Sequence, residues 1–186
     1  MEFDAVILAG GAARRMGGID KAEVMLGEAR LLDRALEAVA GADRVVVVGP
    51  RRPAPDGVLW TREEPPGGGP VPALAAGLAH VSADVVVVLA VDMPFVDEAV
   101  VDRLLAALES VEGAVLTDAV GRDQPLAGAY RTGPLLGRLD ALPQHPGASV
   151  GDVVGALSLT RVPAAAAALD CDTWDDVRAA RALLSG

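Results

Sequence analysis

Strands and helices alternate in the pattern of apolar positions along this chain. Residues 4–9 form an apolar run typical of a strand, whereas residues 31–40 carry Leu32, Leu36 and Val39 at helical spacing. The pattern predicts further strands at 44–48, 58–61, 84–91, 114–117, 127–131 and 158–162, and further helices at 73–81, 98–108, 135–142, 150–157 and 173–184. Several strands are apolar throughout, which indicates burial on both faces. We therefore predict an α/β fold in three layers, a Rossmann-like α/β/α arrangement around a mostly parallel central sheet.

No linker divides the 186 residues, so we expect a single domain over 1–186. Hydrophobic residues make up 52% of the chain, which allows a substantial buried core. No apolar stretch is long enough to span a membrane, and the N-terminus lacks the pattern of a leader peptide. Cys171 is the single cysteine, so an internal disulfide cannot form. These features predict a soluble, cytoplasmic protein.

The net charge of -10 and the pI near 4.6 restrict the partners that this protein can attract. Nucleic acids and anionic membranes attract basic surfaces, so neither is an expected partner. A nucleotide site on such an acidic protein has to be locally basic, or it has to use a metal cation.

The first predicted strand leads directly into a glycine-rich loop that ends in a lysine. Glycines at positions 10, 11, 17 and 18 allow backbone amides to turn toward an anion without obstruction by a Cβ atom. Arg14, Arg15 and Lys21 add positive charge, and Lys21 is the single lysine among 16 lysine and arginine residues. The loop follows neither the Walker pattern nor the G-x-G-x-x-G pattern. Residue chemistry favours phosphate binding over a solvated loop whose glycines serve turns only.

The loop is similar to the signature of a known enzyme family. It resembles that of the molybdenum cofactor guanylyltransferase family, which consists of MobA-like nucleotidyltransferases, in the residues Leu8-Ala9-Gly10-Gly11, Arg15-Met16-Gly17 and Lys21. The resemblance implies a nucleotidyltransferase fold and extends from the first strand to the terminal helix. It also implies that the backbone amides of Leu8, Ala9, Gly10 and Gly11 dock the nucleotide, and that Arg15 and Lys21 stabilise charge during catalysis.

Asp92 ends the apolar strand predicted at 84–91 and begins the tripeptide Asp92-Met93-Pro94. A carboxylate that leaves such a strand has to reach water, a cation or hydrogen-bond donors. A helix cap is the alternative interpretation, although Asp97 suits that role better. In the family that the chain resembles, the aspartate of a D-x-P motif holds Mg²⁺ on the nucleotide phosphates. The resemblance thus implies catalytic, nucleotide-binding and metal-binding roles for Asp92.

Asp172 is a second candidate metal ligand. It precedes Thr173 and Trp174, where relatives have Asn or Asp before a Thr-Pro pair. Thr173 can cap the terminal helix without the proline, so the replacement by tryptophan leaves the assignment open. A solvated aspartate at a helix start is the alternative.

Two acidic residues, Glu63 and Glu64, follow the third predicted strand and precede a stretch rich in proline and glycine. The family that the chain resembles has an acidic residue there beside the nucleotide base, and Glu64 is the matching position. Guanine presents donors at N1 and N2, which pair with an acceptor-only carboxylate and favour GTP over CTP. An acidic surface loop is the alternative.

The resemblance implies transfer of GMP from GTP to molybdopterin with release of pyrophosphate and with Mg²⁺ as cofactor. GTP and molybdopterin are then the small-molecule substrates of a monomer or weak homo-oligomer. The alternatives are a cytidylyltransferase acting on the same pterin, a nucleotidyltransferase for another small phosphate acceptor, and a non-catalytic nucleotide-binding protein.

One geometric expectation follows for all the catalytic alternatives. Ligands of open α/β sheets bind at the carboxyl ends of the strands, and Lys21, Glu64 and Asp92 all follow predicted strands. The amine of Lys21 and the carboxylate of Asp92 should therefore lie close together.

Overall fold

The computed structural model describes residues 1–13, 16–141 and 149–184, and seven strands in these ranges form one sheet. The strands are β1 (Asp4–Leu8), β2 (Arg44–Val48), β3 (Leu59–Thr61), β4 (Val85–Ala90), β5 (Gly113–Thr117), β6 (Asp123–Arg131) and β7 (Leu159–Pro163). Their order across the sheet is β7-β5-β6-β4-β1-β2-β3. Strand β6 is antiparallel to both of its neighbours, and the other adjacent pairs are parallel. The predicted mostly parallel sheet is confirmed.

Helices cover both faces of this sheet. They are α1 (Leu31–Ala38), α2 (Pro70–Leu78), α3 (Glu98–Ala106), α4 (Thr132–Ala141), α5 (Val150–Val154) and α6 (Trp174–Leu184). Buried residues of α1, α3 and α6 belong to one apolar cluster, and those of α2, α4 and α5 belong to a second. The structure therefore has the predicted three layers. Within the described ranges, the helices are too short or too polar to cross a lipid bilayer.

The central strands contribute alternate side chains to these two clusters. In β4, Val85, Val87 and Leu89 pack into the cluster with α1 and α3, whereas Val86 and Val88 pack into the cluster with α2. Successive side chains of a strand point to opposite faces, so an uninterrupted apolar strand is buried on both sides. This geometry explains why β1, β2 and β4 read as continuous apolar runs.

Helix α2 begins at Pro70, three residues before the predicted start at residue 73. Proline is favoured in the first helical turn, because the N–H that it lacks has no partner there and its fixed φ suits a helix. A Cβ atom on Gly77 would lie 2.5 Å from Cγ1 of Val6 and 2.9 Å from Cγ2 of Val48. Glycine at this position therefore lets α2 pack closely against β1 and β2.

Short elements between β1 and α1 were not predicted. Ala12–Ala13 pairs with Ile19–Asp20, Lys21–Glu23 forms a 3-10 helix, and Met25–Leu26 pairs with Ala29–Arg30. Two-residue ladders contain too few positions to show a hydrophobic period.

The register of the sheet brings three strand ends level with one another. Leu8 at the end of β1 pairs with Val48 of β2 on one side and with Ala90 of β4 on the other. The chain passes from β1 to β2 and later returns to β4, so the strand order reverses at β1. Ligands of doubly wound sheets bind at such a reversal, outside the carboxyl ends of the strands.

Candidate active site

A cavity of about 560 Å³ opens at this edge of the sheet. Its walls come from the glycine-rich loop, from the loop between β3 and α2, and from the end of β4. They include Leu8, Gly10, Gly11, Lys21, Glu63 and Asp92. The volume falls in the usual range for small-molecule sites. Residues from three separate parts of the sequence thus converge on one cavity, as the strand-end rule predicts.

Lys21 and Asp92 are in direct contact, as expected from the sequence. The ammonium Nζ of Lys21 donates a hydrogen bond of 2.8 Å to Oδ2 of Asp92. The same Nζ also donates to Oδ1 of Asp172, so one ammonium joins two carboxylates that are far apart in the sequence. Asp92 does not cap a helix, because Oδ1 of Asp97 accepts the N–H of Val100 at the start of α3.

A backbone hydrogen bond holds Asp172 near the end of β4. The N–H of Cys171 donates to the carbonyl of Asp92 at 2.9 Å. The next residues begin α6, where Thr173 and Asp176 each accept the other's backbone N–H. This reciprocal cap fixes the backbone that carries Asp172.

The charges at this site favour a cation. Partial burial disfavours the charged form of Lys21, but its hydrogen bonds to Asp172 and Asp92 and their negative charges outweigh burial and raise its pKa. For Asp170, burial and the negative charges of Asp172 and Asp92 raise the pKa. The three aspartates therefore form an acidic cluster that Lys21 contacts.

Asp92 and Asp172 fit the requirements of a Mg²⁺ site that is completed by a nucleotide. Both carboxylates contact one nitrogen atom, so both lie beside the same position in the cavity. The described residues contain no cluster of three or more His, Cys, Asp or Glu side chains that could hold a metal alone. Mg²⁺ commonly binds through one or two carboxylates together with water and substrate phosphates. The donor set thus suits Mg²⁺ better than a metal that needs a complete protein cage.

The glycine-rich loop and the loop after β2 pass very close to each other. A Cβ atom on Gly49, whose φ is +149°, would lie 2.8 Å from the carbonyl oxygen of Ala9, so only glycine fits. The N–H of Ala9 donates to the carbonyl of Val48 at 2.8 Å. The prediction that Ala9 offers its amide to a nucleotide therefore needs correction, because that amide extends the sheet. Leu8, Gly10 and Gly11 do line the cavity.

Arg52 ties the glycine-rich loop to the loop after β2, a contact that the sequence did not predict. Its guanidinium donates to both carboxylate oxygens of Asp20, at 2.7 and 2.8 Å, and to the carbonyl of Ala9 at 3.0 Å. Asp20 in turn accepts the N–H of Ala22 at 3.1 Å and caps the short 3-10 helix that begins with Lys21. Arg52 is thus linked through Asp20 to the position of Lys21.

The acidic residue on the cavity wall is Glu63, whereas Glu64 is exposed and is absent from the wall. Oε1 of Glu63 accepts the N–H of Gly67 at 2.8 Å, which holds the side chain inward. Its Oε2 is buried and has no hydrogen-bond partner among the described residues. The structure therefore places Glu63, and not Glu64, on the cavity wall, and nucleotide binding by Glu64 stays a prediction. Neighbouring residues of an extended segment point in opposite directions, so the identity of the inward residue depends on a loop geometry that the sequence does not define.

A further cation, Arg62, lines the cavity and was not predicted. Its position directly after β3 is a usable signal, because polar residues at strand ends gather at this edge. The predicted cations Arg14 and Arg15 lie outside the described residues, so the catalytic role of Arg15 stays a prediction.

Comparison with known proteins identifies the family. A family model described as the MobA-like NTP transferase domain matches residues 5–161, a range that includes both the glycine-rich loop and β4. The chain is 35% identical to the molybdenum cofactor guanylyltransferase of Shewanella sp. strain ANA-3 over 133 residues, which cover 68% of this chain and 67% of that protein.

Two solved structures share the fold. The molybdopterin-guanine dinucleotide biosynthesis protein A of Archaeoglobus fulgidus has a TM-score of 0.76 and 21% identity, with 98% of each chain covered. The 2-C-methyl-D-erythritol 4-phosphate cytidylyltransferase of Thermus thermophilus has a TM-score of 0.77 and 23% identity, with 100% of each chain covered. At these identities the structures confirm the nucleotidyltransferase fold alone, whereas the family model and the Shewanella relative show that this chain belongs to the family of MobA-like NTP transferases.

Proposed function

We propose that this nucleotidyltransferase transfers GMP from GTP to molybdopterin and releases pyrophosphate. The observation that carries this proposal is the contact of Lys21 with Asp92 and Asp172 beside a cavity walled by the glycine-rich loop. The relative from Shewanella that bears the name molybdenum cofactor guanylyltransferase supports the choice of substrates.

The reaction depends on positive charge placed beside the phosphates and does not need a nucleophile from the protein. A phosphate oxygen of the acceptor forms a bond to the α-phosphorus of GTP, and the bond from that phosphorus to the oxygen bridging the α- and β-phosphates breaks. Pyrophosphate leaves with the electron pair of that bond. Since the attacking oxygen is already anionic at neutral pH, no Ser, Cys or His is needed to activate it.

Different residues of the cavity would bind the triphosphate and the metal ion. Gly10 and Gly11 leave room for the triphosphate to approach the backbone, and Lys21 and Arg62 provide cations beside it. Nucleotidyltransferases typically use a divalent metal ion, and Asp92 and Asp172 would hold Mg²⁺. When bound, Mg²⁺ neutralises negative charge on the triphosphate and on the leaving pyrophosphate.

Glu63 is the group that we assign to base recognition in place of Glu64. Its buried Oε2 lacks a donor among the described residues, and a Cβ atom on Gly10 would lie 4.0 Å from it. An unpaired buried carboxylate oxygen is costly, so a ligand that supplies donors there is favoured. Guanine supplies two adjacent donors at N1 and N2, whereas cytosine supplies one amino group.

The direct test measures pyrophosphate release by the purified protein with Mg²⁺, molybdopterin and each of the four nucleoside triphosphates in turn. We expect release with GTP, dependent on molybdopterin, and formation of a guanylylated pterin by mass spectrometry. Release with CTP instead of GTP would assign a cytidylyltransferase, and binding of GTP without release in the presence of the pterin would contradict enzyme function.

The contacts of Arg52 lead to a prediction about nucleotide affinity. Arg52→Met should raise the KM for GTP by about tenfold, because the loop that carries Lys21 loses its anchor and small misplacements weaken positioning. The KM for molybdopterin should stay within about twofold of the wild-type value. Steady-state kinetics measure both constants, and Arg51→Met is the matched control, since it removes the same charge from the neighbouring exposed residue. Equal changes in both KM values would show general damage to the fold.

A further inference from the structure

Lys21 is a cation that the fold brings to the two carboxylates at the end of the sheet. Its Nζ donates to Oδ2 of Asp92 and to Oδ1 of Asp172. The side chains of Lys21 and Asp92 are 13% and 22% exposed, so water screens this contact less than it screens a surface pair. Lys21 therefore bridges two carboxylates from distant parts of the chain, with Asp170 nearby.

The geometry points to an exchange of cations, in which a divalent metal ion enters between Asp92 and Asp172 as the ammonium of Lys21 leaves. This inference rests on the proposed function for the identity of the metal site. Mg²⁺ binds oxygen at about 2.0–2.1 Å and demands near-octahedral geometry. The two carboxylate oxygens that it needs are those that Nζ already contacts. Two cations this close repel each other strongly, so the metal and the ammonium compete for one position.

The cavity provides a destination for the displaced lysine. Lys21 lines the same cavity as Gly10, Gly11 and Arg62, where the triphosphate of a nucleotide is expected. Phosphate oxygens there would replace the carboxylates as partners of the ammonium. Metal and nucleotide should therefore each favour binding of the other, because the metal would bind the carboxylates while the phosphates of the nucleotide would bind the ammonium of Lys21. Couplings between two sites are typically about 5- to 150-fold in affinity.

This exchange also gives a physical reason for a lysine in a chain that otherwise uses arginine. An ammonium on a flexible stem forms single, adjustable contacts and can move between partners, whereas a guanidinium holds a carboxylate through two parallel hydrogen bonds. Arginine at position 21 would hold the carboxylates more firmly and would oppose entry of the metal.

The single lysine allows a direct spectroscopic test on the wild-type protein. Protein labelled with ¹³C-lysine gives one lysine ε-methylene signal, which reports on Lys21 alone. Titration with Mg²⁺, without nucleotide, should shift this signal along a saturable curve, and KCl at matched ionic strength should not. A lysine signal that stays unchanged while Mg²⁺ saturates the protein would overturn the exchange.

Metal affinity provides a second and independent test. Binding of Mn²⁺ alone, measured by the loss of the free Mn²⁺ signal in electron paramagnetic resonance, should be about tenfold tighter in Lys21→Met than in the wild type. Arg44→Met is the charge-matched control, since Arg44 begins β2 at the opposite edge of the sheet, and it should bind Mn²⁺ like the wild type. Equal affinities in all three proteins would contradict the proposal. Circular dichroism verifies that each variant is folded.

The outcome is separable from that of the proposed function. If the lysine signal and the Mn²⁺ affinities show exchange but GTP is not turned over, the exchange stands and the assigned activity fails. If GTP is turned over while neither measurement shows exchange, the activity stands and this inference fails.

Discussion

Replacement of Asp92 by asparagine is expected to lower kcat for pyrophosphate release by about 1,000-fold. The substitution keeps the size of the side chain but removes the negative charge that Lys21 contacts and that the proposed metal would contact in its place. Loss of one preorganised charged group at a reacting phosphate typically costs about 100- to 1,000-fold in rate. Initial rates with GTP, molybdopterin and Mg²⁺ measure the effect.

The control for this variant lies at the other end of the same strand. Asp84 is exposed and immediately precedes β4, so Asp84→Asn makes the same chemical change away from the cavity. It should retain activity within about twofold. Activity of Asp92→Asn close to that of the wild type would exclude Asp92 from catalysis and would leave the contact with Lys21 as a structural ion pair.

A smaller loss is expected for the corresponding change of Asp172. Its side chain is 41% exposed, compared with 22% for Asp92. Water can therefore replace more of the interaction between the Asp172 carboxylate and a cation. An asparagine oxygen can also remain a metal ligand. The ratio of the two effects would therefore measure how unequally the two carboxylates hold the proposed metal.

The meeting of Lys21 with Asp92 could be predicted because it follows from strand topology. Parallel strands buried on both faces leave recognisable apolar runs, and the residues that follow β1 and β4 necessarily emerge at the same edge. The hydrophobic pattern therefore defined both the sheet and the meeting point of its loops. It also predicted that Asp97, and not Asp92, caps α3.

The remaining parts of the site depend on loops, where no period indicates direction. Arg52 is one arginine in a segment rich in proline, and its contact with Asp20 joins two loops whose relative position only the folded backbone defines. The position of Glu64 outside the cavity wall has the same origin, since a shift of one residue in a loop exchanges the inward and outward side chains. The sequence therefore does not show which loop residues line the cavity, whereas it does show which residues follow the strand ends.

The different positions of Glu63, on the cavity wall, and Glu64, outside it, lead to a prediction about base selectivity. Glu63→Gln should lower kcat/KM for GTP by about 100-fold, because the amide oxygen can keep the N–H of Gly67 while the amide nitrogen takes the place of Oε2. A donor would then face the two donors of guanine, and an unpaired buried polar group of this kind costs about 1–3 kcal/mol, more where a charge is involved. The activity with CTP should fall less, because cytosine also presents acceptors that can pair with the new amide.

Glu64→Gln is the matched control for this selectivity, because it makes the identical change on the adjacent exposed side chain. The ratio of kcat/KM for GTP to that for CTP should fall in Glu63→Gln, by less than the loss of about 100-fold in kcat/KM for GTP because the activity with CTP also falls, and it should stay within about twofold of the wild-type ratio in Glu64→Gln. A selective loss of GTP activity in Glu64→Gln alone would return base recognition to the residue that family resemblance indicates. It would also mean that the loop between β3 and α2 changes conformation when the nucleotide binds, since Glu64 is exposed and does not line the cavity.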